Sequence, residues 1–206
     1  MPLPQSEKAP EMTALLEDIA AGKTTSQIIR ENPKLAFRVK EIDVLRQMLL
    51  PEKYADQNRM VETQYLYGAT GTGKTSGIYR RHDSRDIYRV TNYRNGRGVS
   101  FDDYHGQDVI VFEEFASQIP IEEMLNLLDM YPLMLPARYS DKVACYTKVY
   151  ITSNLPLSRQ YQAVQQYHPE TWKAFLRRIR TFTEYRENGA PITRPVSEWR
   201  WMLEDG

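Results

Sequence analysis

A chain of 206 residues carries 27 lysines and arginines against 27 aspartates and glutamates, with 41% hydrophobic residues. That length admits one ordinary domain plus a small accessory one. The balanced charge excludes a polybasic protein that coats nucleic acid by bulk attraction, though not a local basic channel. The single cysteine, Cys145, excludes a disulfide framework and any cysteine-based zinc site. No apolar run nears the roughly 18 residues that span a bilayer, and the first residues lack the basic and apolar parts of a signal peptide. An intracellular, soluble protein in a reducing compartment is expected.

Residues 1–10, with Pro2, Pro4 and Pro10, are expected to form a loose lead-in. Glu11 to Ala21 predicts a short helix, with Met12, Leu15, Leu16 and Ile19 on one face and Gly22 as its stop. Thr24 or Thr25 can cap a second helix ending before Pro33. Leu35, Val39, Ile42, Leu45 and Leu49 mark a third, which Pro51 is expected to close. This all-helical unit, residues 11–55, is too small for a robust core of its own and is expected to pack on a neighbour.

From Val61 the texture changes. Gln64 to Tyr67 reads as a strand that stops at Gly68, Lys74 to Arg81 as a helix, and Asp86 to Val90 as a second strand. Asp108 to Phe112 is a third, and its unbroken apolar run predicts burial on both faces, as in a parallel sheet flanked by helices. Ile121 to Met130 is an amphipathic helix with Pro120 at its start, Lys148 to Thr152 a fourth strand and Thr181 to Tyr185 a fifth. Strands alternating with helices predict an α/β doubly wound domain over 56–187, followed by a C-terminal tail over 188–206.

Within that domain Gly68-Ala69-Thr70-Gly71-Thr72-Gly73-Lys74-Thr75 has the spacing of a phosphate-binding loop. Glycines let successive amide hydrogens converge on phosphate oxygens. Lys74 supplies a mobile charge for the β and γ phosphates, the Thr75 hydroxyl can ligate Mg²⁺, and the following helix aims its N-terminal dipole at the same anions. Strand, loop and helix follow one another in the order this chemistry needs.

Val109 to Phe112 ends in Glu113 and Glu114. In phosphate-loop enzymes such a strand lies beside the loop. Glu113 is then expected to hold the metal, and Glu114 to orient and deprotonate the attacking water. A plain solvated loop start is the alternative for a Glu-Glu pair taken alone. Asn154, at the end of the Val149–Thr152 run, can hydrogen-bond the lytic water or γ-phosphate, or can belong to a turn before Pro156. Arg177 and Arg178, after a helix containing Trp172, are candidates for an arginine finger acting on a neighbouring subunit; a basic helix end complementing the dipole is the plainer alternative. Met134 to Tyr146 predicts a β-hairpin with Ser140-Asp141-Lys142 near its tip. Arg138, Tyr139 and Lys142 there can grip a nucleic-acid backbone and stack on a base, although spacing alone favours an ordinary solvated tip.

Taken together, these motifs resemble the helicase half of rolling-circle replication initiator (Rep) proteins of circular single-stranded DNA viruses and plasmids. Those are superfamily 3 helicases of the AAA+ class. The resemblance is carried by Gly68 to Thr75, Tyr104 to Phe115, Leu127 to Leu133, Ile151 to Asn154 and Leu176 to Ile179, in that order, and covers roughly Val61 to Arg186. It implies an AAA+ P-loop fold behind a small helical oligomerisation domain, ATP and Mg²⁺ as cofactors, and a homo-oligomeric, hexameric ring moving on single-stranded DNA. It also implies that Lys142 contacts DNA in the pore, and that Arg177 or Arg178 acts across a subunit boundary. The expected compartment is the host nucleus for a eukaryotic virus, or the cytoplasm for a plasmid or phage.

Two departures qualify the match. Family members often carry aspartates where this chain has Glu113 and Glu114. The histidine-hydrophobic-histidine site of a nicking endonuclease is absent, since His82, His105 and His168 are never two residues apart. The chain is therefore expected to be a fragment of a longer initiator, or to work with a nuclease in trans. Competing expectations are an RNA-directed superfamily 3 helicase and a nucleotide-dependent assembly module that unwinds nothing.

Overall fold

A computed structural model describes residues 8–93 and 98–198. The first seven residues of the expected lead-in and residues 199–206 of the expected tail lie outside them. The opening helix, α1 (Lys8–Ala20), starts earlier than the sequence suggested. Pro10 falls in its first turn, where the missing N–H would have had no helical acceptor anyway. Gly22 follows α1 at φ +88°, the left-handed conformation that stops it.

α2 (Thr25–Glu31) is capped by Thr24, whose hydroxyl accepts from the Gln27 N–H at 3.2 Å while the Gln27 side chain accepts from the Thr24 N–H at 2.8 Å. Pro33–Arg38 forms a 3-10 turn where the third helix was expected to begin, and α3 runs over Val39–Asp56. Pro51 does not close α3 but sits inside it. The cost of one lost hydrogen bond is outweighed by tertiary packing, because Leu50 and Tyr54, on either side of Pro51, are buried against Cys145 and Val143. Leu15, Ile19, Ile28, Leu35 and Ile42 form a separate small core for the helical unit.

The remainder is built on β1 (Glu62–Tyr67), β2 (Ile87–Val90), β3 (Val109–Phe112), a two-strand hairpin β4 (Met134–Leu135) and β5 (Lys142–Val143), β6 (Lys148–Ser153), β7 (Ile179–Glu184) and β8 (Ile192–Pro195). Between them lie α4 (Lys74–Tyr79), α5 (Ile121–Leu127), α6 (Gln162–Tyr167) and α7 (Pro169–Arg178). Six strands make one sheet in the order β2-β3-β6-β1-β7-β8, parallel except for β8. β8 lies in the stretch expected to be tail. Exposed for most of its length, it carries no apolar alternation that would have marked it.

The unbroken apolar reading of β3 is correct, and alternate residues go to opposite faces. Ile110 and Phe112 join Tyr65, Val149 and Ile151 under α5 and α7; Val109 and Val111 join Leu66, Tyr150 and Ile78 of α4. Each such side chain contributes roughly 1.5–3 kcal/mol on leaving water. At the start of these strands, Asp108 accepts from the Thr147 hydroxyl at 2.5 Å and from its N–H at 3.2 Å, and pairs with Lys148. That cluster pins the β3–β6 register. Nearby, burial pushes the Cys145 thiol up to about 12, so the one cysteine is a packing residue.

Where β1 meets the glycine-rich loop, Gly68 has φ +149°, and a Cβ there would lie 2.2 Å from the Tyr185 carbonyl oxygen. At Gly71 (φ +84°) a Cβ would meet nothing within 4 Å. Gly71→Ala should therefore cost only left-handed strain, about 1–2 kcal/mol, and Gly68→Ala clearly more, because β7 must also move. Denaturant midpoints of the two variants decide this, and equal shifts would refute it. In the helical unit, Thr24→Ala should lower stability by about 1 kcal/mol through loss of the capping box; an unchanged urea transition would show that the cap contributes nothing.

Candidate functional site

The parallel sheet brings the ends of β1, β6 and β3 to one edge. There a cavity of about 310 Å³ is lined by Thr70, Gly71, Gly73, Lys74, Thr75, Ser76, Glu113, Glu114, Thr152, Ser153 and Asn154. The loop residues, both glutamates and Asn154, picked out separately along the chain, thus face one space. Gly68, Ala69 and Thr72 complete the loop, with Gly73 at φ +92° as the residue before α4.

The acidic strand β3 is not the sheet neighbour of the loop strand β1: β6 runs between them, and Glu113 and Glu114 still open onto the cavity that the loop lines. Nothing local in either strand records which neighbour it takes, because crossover connections set the order. The acids must therefore reach across two strand spacings, roughly 10 Å. Glutamate is longer than aspartate, and Glu114 turns off the strand at φ +49°. Asn154, at the end of the middle strand, stands between the loop and the acids.

Lys74 Nζ donates to the carbonyl oxygens of Gly68 (2.6 Å) and Ala69 (2.8 Å) and to Asn154 Oδ1 (3.1 Å). Desolvation lowers its pKa, partly offset by the charge of Glu114. A polyphosphate entering the cavity would restore an anionic partner and favour the charged lysine. Glu113 is held by Arg89 of β2, whose Nε donates at 3.0 Å and whose second nitrogen pairs with the other carboxylate oxygen. The Tyr93 hydroxyl donates to the Glu113 carbonyl. Glu114 is exposed to the cavity, its N–H directed at Thr152 Oγ1 at 3.4 Å.

The donor set suits Mg²⁺ bound with a nucleotide. Among the described residues no group of three or more His, Cys, Asp or Glu side chains is placed to hold an ion. A hard cation at Thr75 and Glu113 would therefore have to share its shell with phosphate oxygens and water, which is how Mg²⁺ is usually bound.

Other predicted residues lie elsewhere. Arg177 and Arg178 end α7 just before β7, whose Ile179 pairs with Thr63, while Glu184 pairs with Tyr67 next to the loop. They therefore sit at the opposite end of the sheet, about 16 Å along β7 from the level of the cavity. Arg178 pairs with Asp129 and donates to the Ala174 carbonyl at 3.0 Å. Arg177 is exposed, and no hydrogen bond or ion pair to it is seen among the described residues. In the hairpin, Arg138 and Tyr139 are exposed at the tip, Tyr139 to 93%. Lys142 opens β5 directly after the tip and is half-buried opposite Leu135. Sequence reasoning passed over Thr152, Ser153, Arg89 and Gln160. Only the first two, in the same polar run as Asn154, carried any signal.

The family described as RNA helicase matches residues 64–155. Among curated proteins, the chain is 27% identical to the replication-associated protein of beak and feather disease virus over 154 residues, covering 75% of this chain and 46% of that protein. It is 28% identical to that of porcine circovirus 1 over 144 residues, 68% of this chain and 42% of the other. With that of human associated cyclovirus 1 the identity is 27% over 183 residues, 84% and 60%. The chain thus spans about half the length of the curated relatives it matches. Motif order, parallel sheet and these matches make the chain similar to the RNA helicase family over residues 64–155 and to the replication-associated proteins of circoviruses and a cyclovirus over most of its length.

Proposed function

We propose that this chain is the ATP-driven motor of a DNA replication initiator, working as a ring of identical subunits. The observation that carries the reading is the meeting of Lys74, Asn154, Glu113 and Glu114 around one cavity at the ends of three adjacent strands. Lys74 and the loop amides hold the triphosphate. Thr75 and Glu113 would hold Mg²⁺, which when bound would supply charge neutralisation for the phosphates. Arg89 pairs with Glu113 and holds its carboxylate in place at the cavity. Glu114, which makes no side-chain hydrogen bond among the described residues, orients the water, and Asn154 takes its place between water and γ-phosphate.

Topology favours an intersubunit finger. An arginine about 16 Å from its own cavity at the far end of β7 cannot reach its own γ-phosphate, but a neighbouring copy can present it to another's. Of the two candidates Arg177 is the finger, because it is exposed, whereas Arg178 is committed to Asp129 and braces the helix end that carries it. The exposed Arg138 and Tyr139, with Lys142 where the tip loop enters β5, form the DNA-gripping element, in which an aromatic ring stacks on a base and cations follow the backbone. Six copies, a nicking endonuclease domain on the full-length protein or in trans, and the replication compartment of the host complete the proposal.

A second reading, an RNA-directed helicase, is favoured by the description of the matching family. Strand displacement on matched DNA and RNA duplexes separates the two, with preference for DNA expected. ATP turnover should be stimulated by single-stranded DNA and lost in Lys74→Ala, while Lys142→Ala should lose the stimulation and keep basal turnover. Stimulation indifferent to DNA would instead support an assembly ATPase.

Arg177→Ala should bind nucleotide normally but hydrolyse it up to about a thousandfold more slowly, and mixing it with Lys74→Ala subunits should restore part of the turnover. Full activity in Arg177→Ala would remove it from this role.

A further inference from the structure

Gln160 is fully buried behind the cavity and is not among the residues that line it. Its amide nitrogen donates toward the Tyr65 hydroxyl (2.8 Å), the Phe115 carbonyl (3.0 Å) and Ser153 Oγ (3.1 Å), and its amide oxygen accepts from Ser117 Oγ at 2.7 Å. These partners are not scattered. Phe115 follows Glu114. Ser153 precedes Asn154, and its hydroxyl donates to the Phe115 carbonyl at 2.6 Å and accepts from the Leu155 N–H at 2.9 Å. The Tyr65 hydroxyl in turn donates to the Leu155 carbonyl at 2.7 Å. The residues on both sides of Asn154, and the one after Glu114, are thus tied to a single side chain.

Backbone strain converges on the same amide. Among the described residues three non-glycines have positive φ: Glu114 (+49°), Ser117 (+61°) and Tyr161 (+48°). Ser117 hydrogen-bonds Gln160, its hydroxyl also accepts from the Tyr161 N–H at 2.8 Å, and Tyr161 is the next residue in the chain. Such conformations persist only where the surroundings over-determine them, and they collect at functional sites.

We infer that Gln160 is a positioning residue for hydrolysis: it fixes the spacing between the Glu114 carboxylate and the Asn154 amide across the β3–β6 gap. The role needs a glutamine. Two donor hydrogens and an acceptor oxygen are all used, and a glutamate would set a carboxylate against the Phe115 carbonyl. This inference rests on the hydrolytic reading of the cavity.

Gln160→Met keeps the approximate volume and removes every side-chain hydrogen bond at this position. ATP turnover by this variant should fall by about 100-fold, the scale of an ångström's misplacement, with KM and nucleotide affinity within twofold of the parent chain. A merely structural role would not reproduce the second readout. Placed in an Asn154→Ala background, Gln160→Met should cost little further turnover, because the group it positions is gone; an equal fold-loss in both backgrounds would overturn the assignment, as would unchanged kcat. If Gln160→Met does not fold, Ser117→Ala removes the partner of the amide oxygen alone and should give the same kcat-only loss in smaller measure. An unaffected kcat there also counts against the inference. Absence of Lys74-dependent turnover in the parent chain would overturn the hydrolytic reading and this inference with it, whereas normal parent turnover with an unaffected Gln160→Met overturns this inference alone.

Discussion

The site depends on β6 being hydrogen-bonded to β3 on one side and β1 on the other, all three parallel. Parallel pairing sends every strand's carboxyl end to the same edge, so three unrelated chain exits meet there. Because β6 is in the middle, its Asn154 bridges groups that would otherwise be two strands apart. The register follows from interactions at the other edge, where Asp108 gathers Thr147 and Lys148. An acid at the start of β3, contributing no chemistry to the cavity, thereby helps to fix where Glu113 and Glu114 emerge.

Two kinds of feature were legible in the sequence. The glycine-rich loop was, because converging amides demand glycines at fixed spacing, and Gly68, Gly71 and Gly73 all take positive φ. The central strand was, because burial on both faces leaves an unbroken apolar run. Features decided by distant contacts were not. Pro51 reads as a helix stop, yet Tyr54 beyond it finds a buried place against Cys145. β8 has little apolar character and is held by pairing with β7. Gln160, in a stretch of Ser, Arg, Gln and Tyr, looks like any solvated residue until the backbone groups it binds are brought around it. The interposed β6 belongs to the same class, since no residue in a strand encodes its neighbour.

Placement at the two ends of the sheet also gives an electrically neutral chain separate local charges. The net charge of zero is an average over separated clusters. At the cavity, Lys74 faces inward opposite Glu114; at the far end, Arg177 and Arg180 are exposed, with Arg180 pairing loosely with Glu62 at 3.2 Å.

The far end is also organised by a buried cation. Arg59 is wholly inaccessible and has no carboxylate partner among the described residues; its guanidinium donates to the carbonyls of Tyr146 (3.3 Å), Asp129 (3.2 Å) and Tyr131 (3.3 Å) and lies 4.4 Å from the Tyr146 ring centre. Peptide dipoles and a π-face replace water around the charge, which is tolerable only if they are fixed in place. That requirement is a mutual constraint. Tyr146 links the hairpin to β6, and Asp129 holds Arg178 beside Arg177. The base of the hairpin and the end of α7 are therefore bound to one guanidinium, and neither can shift far without stranding a buried charge.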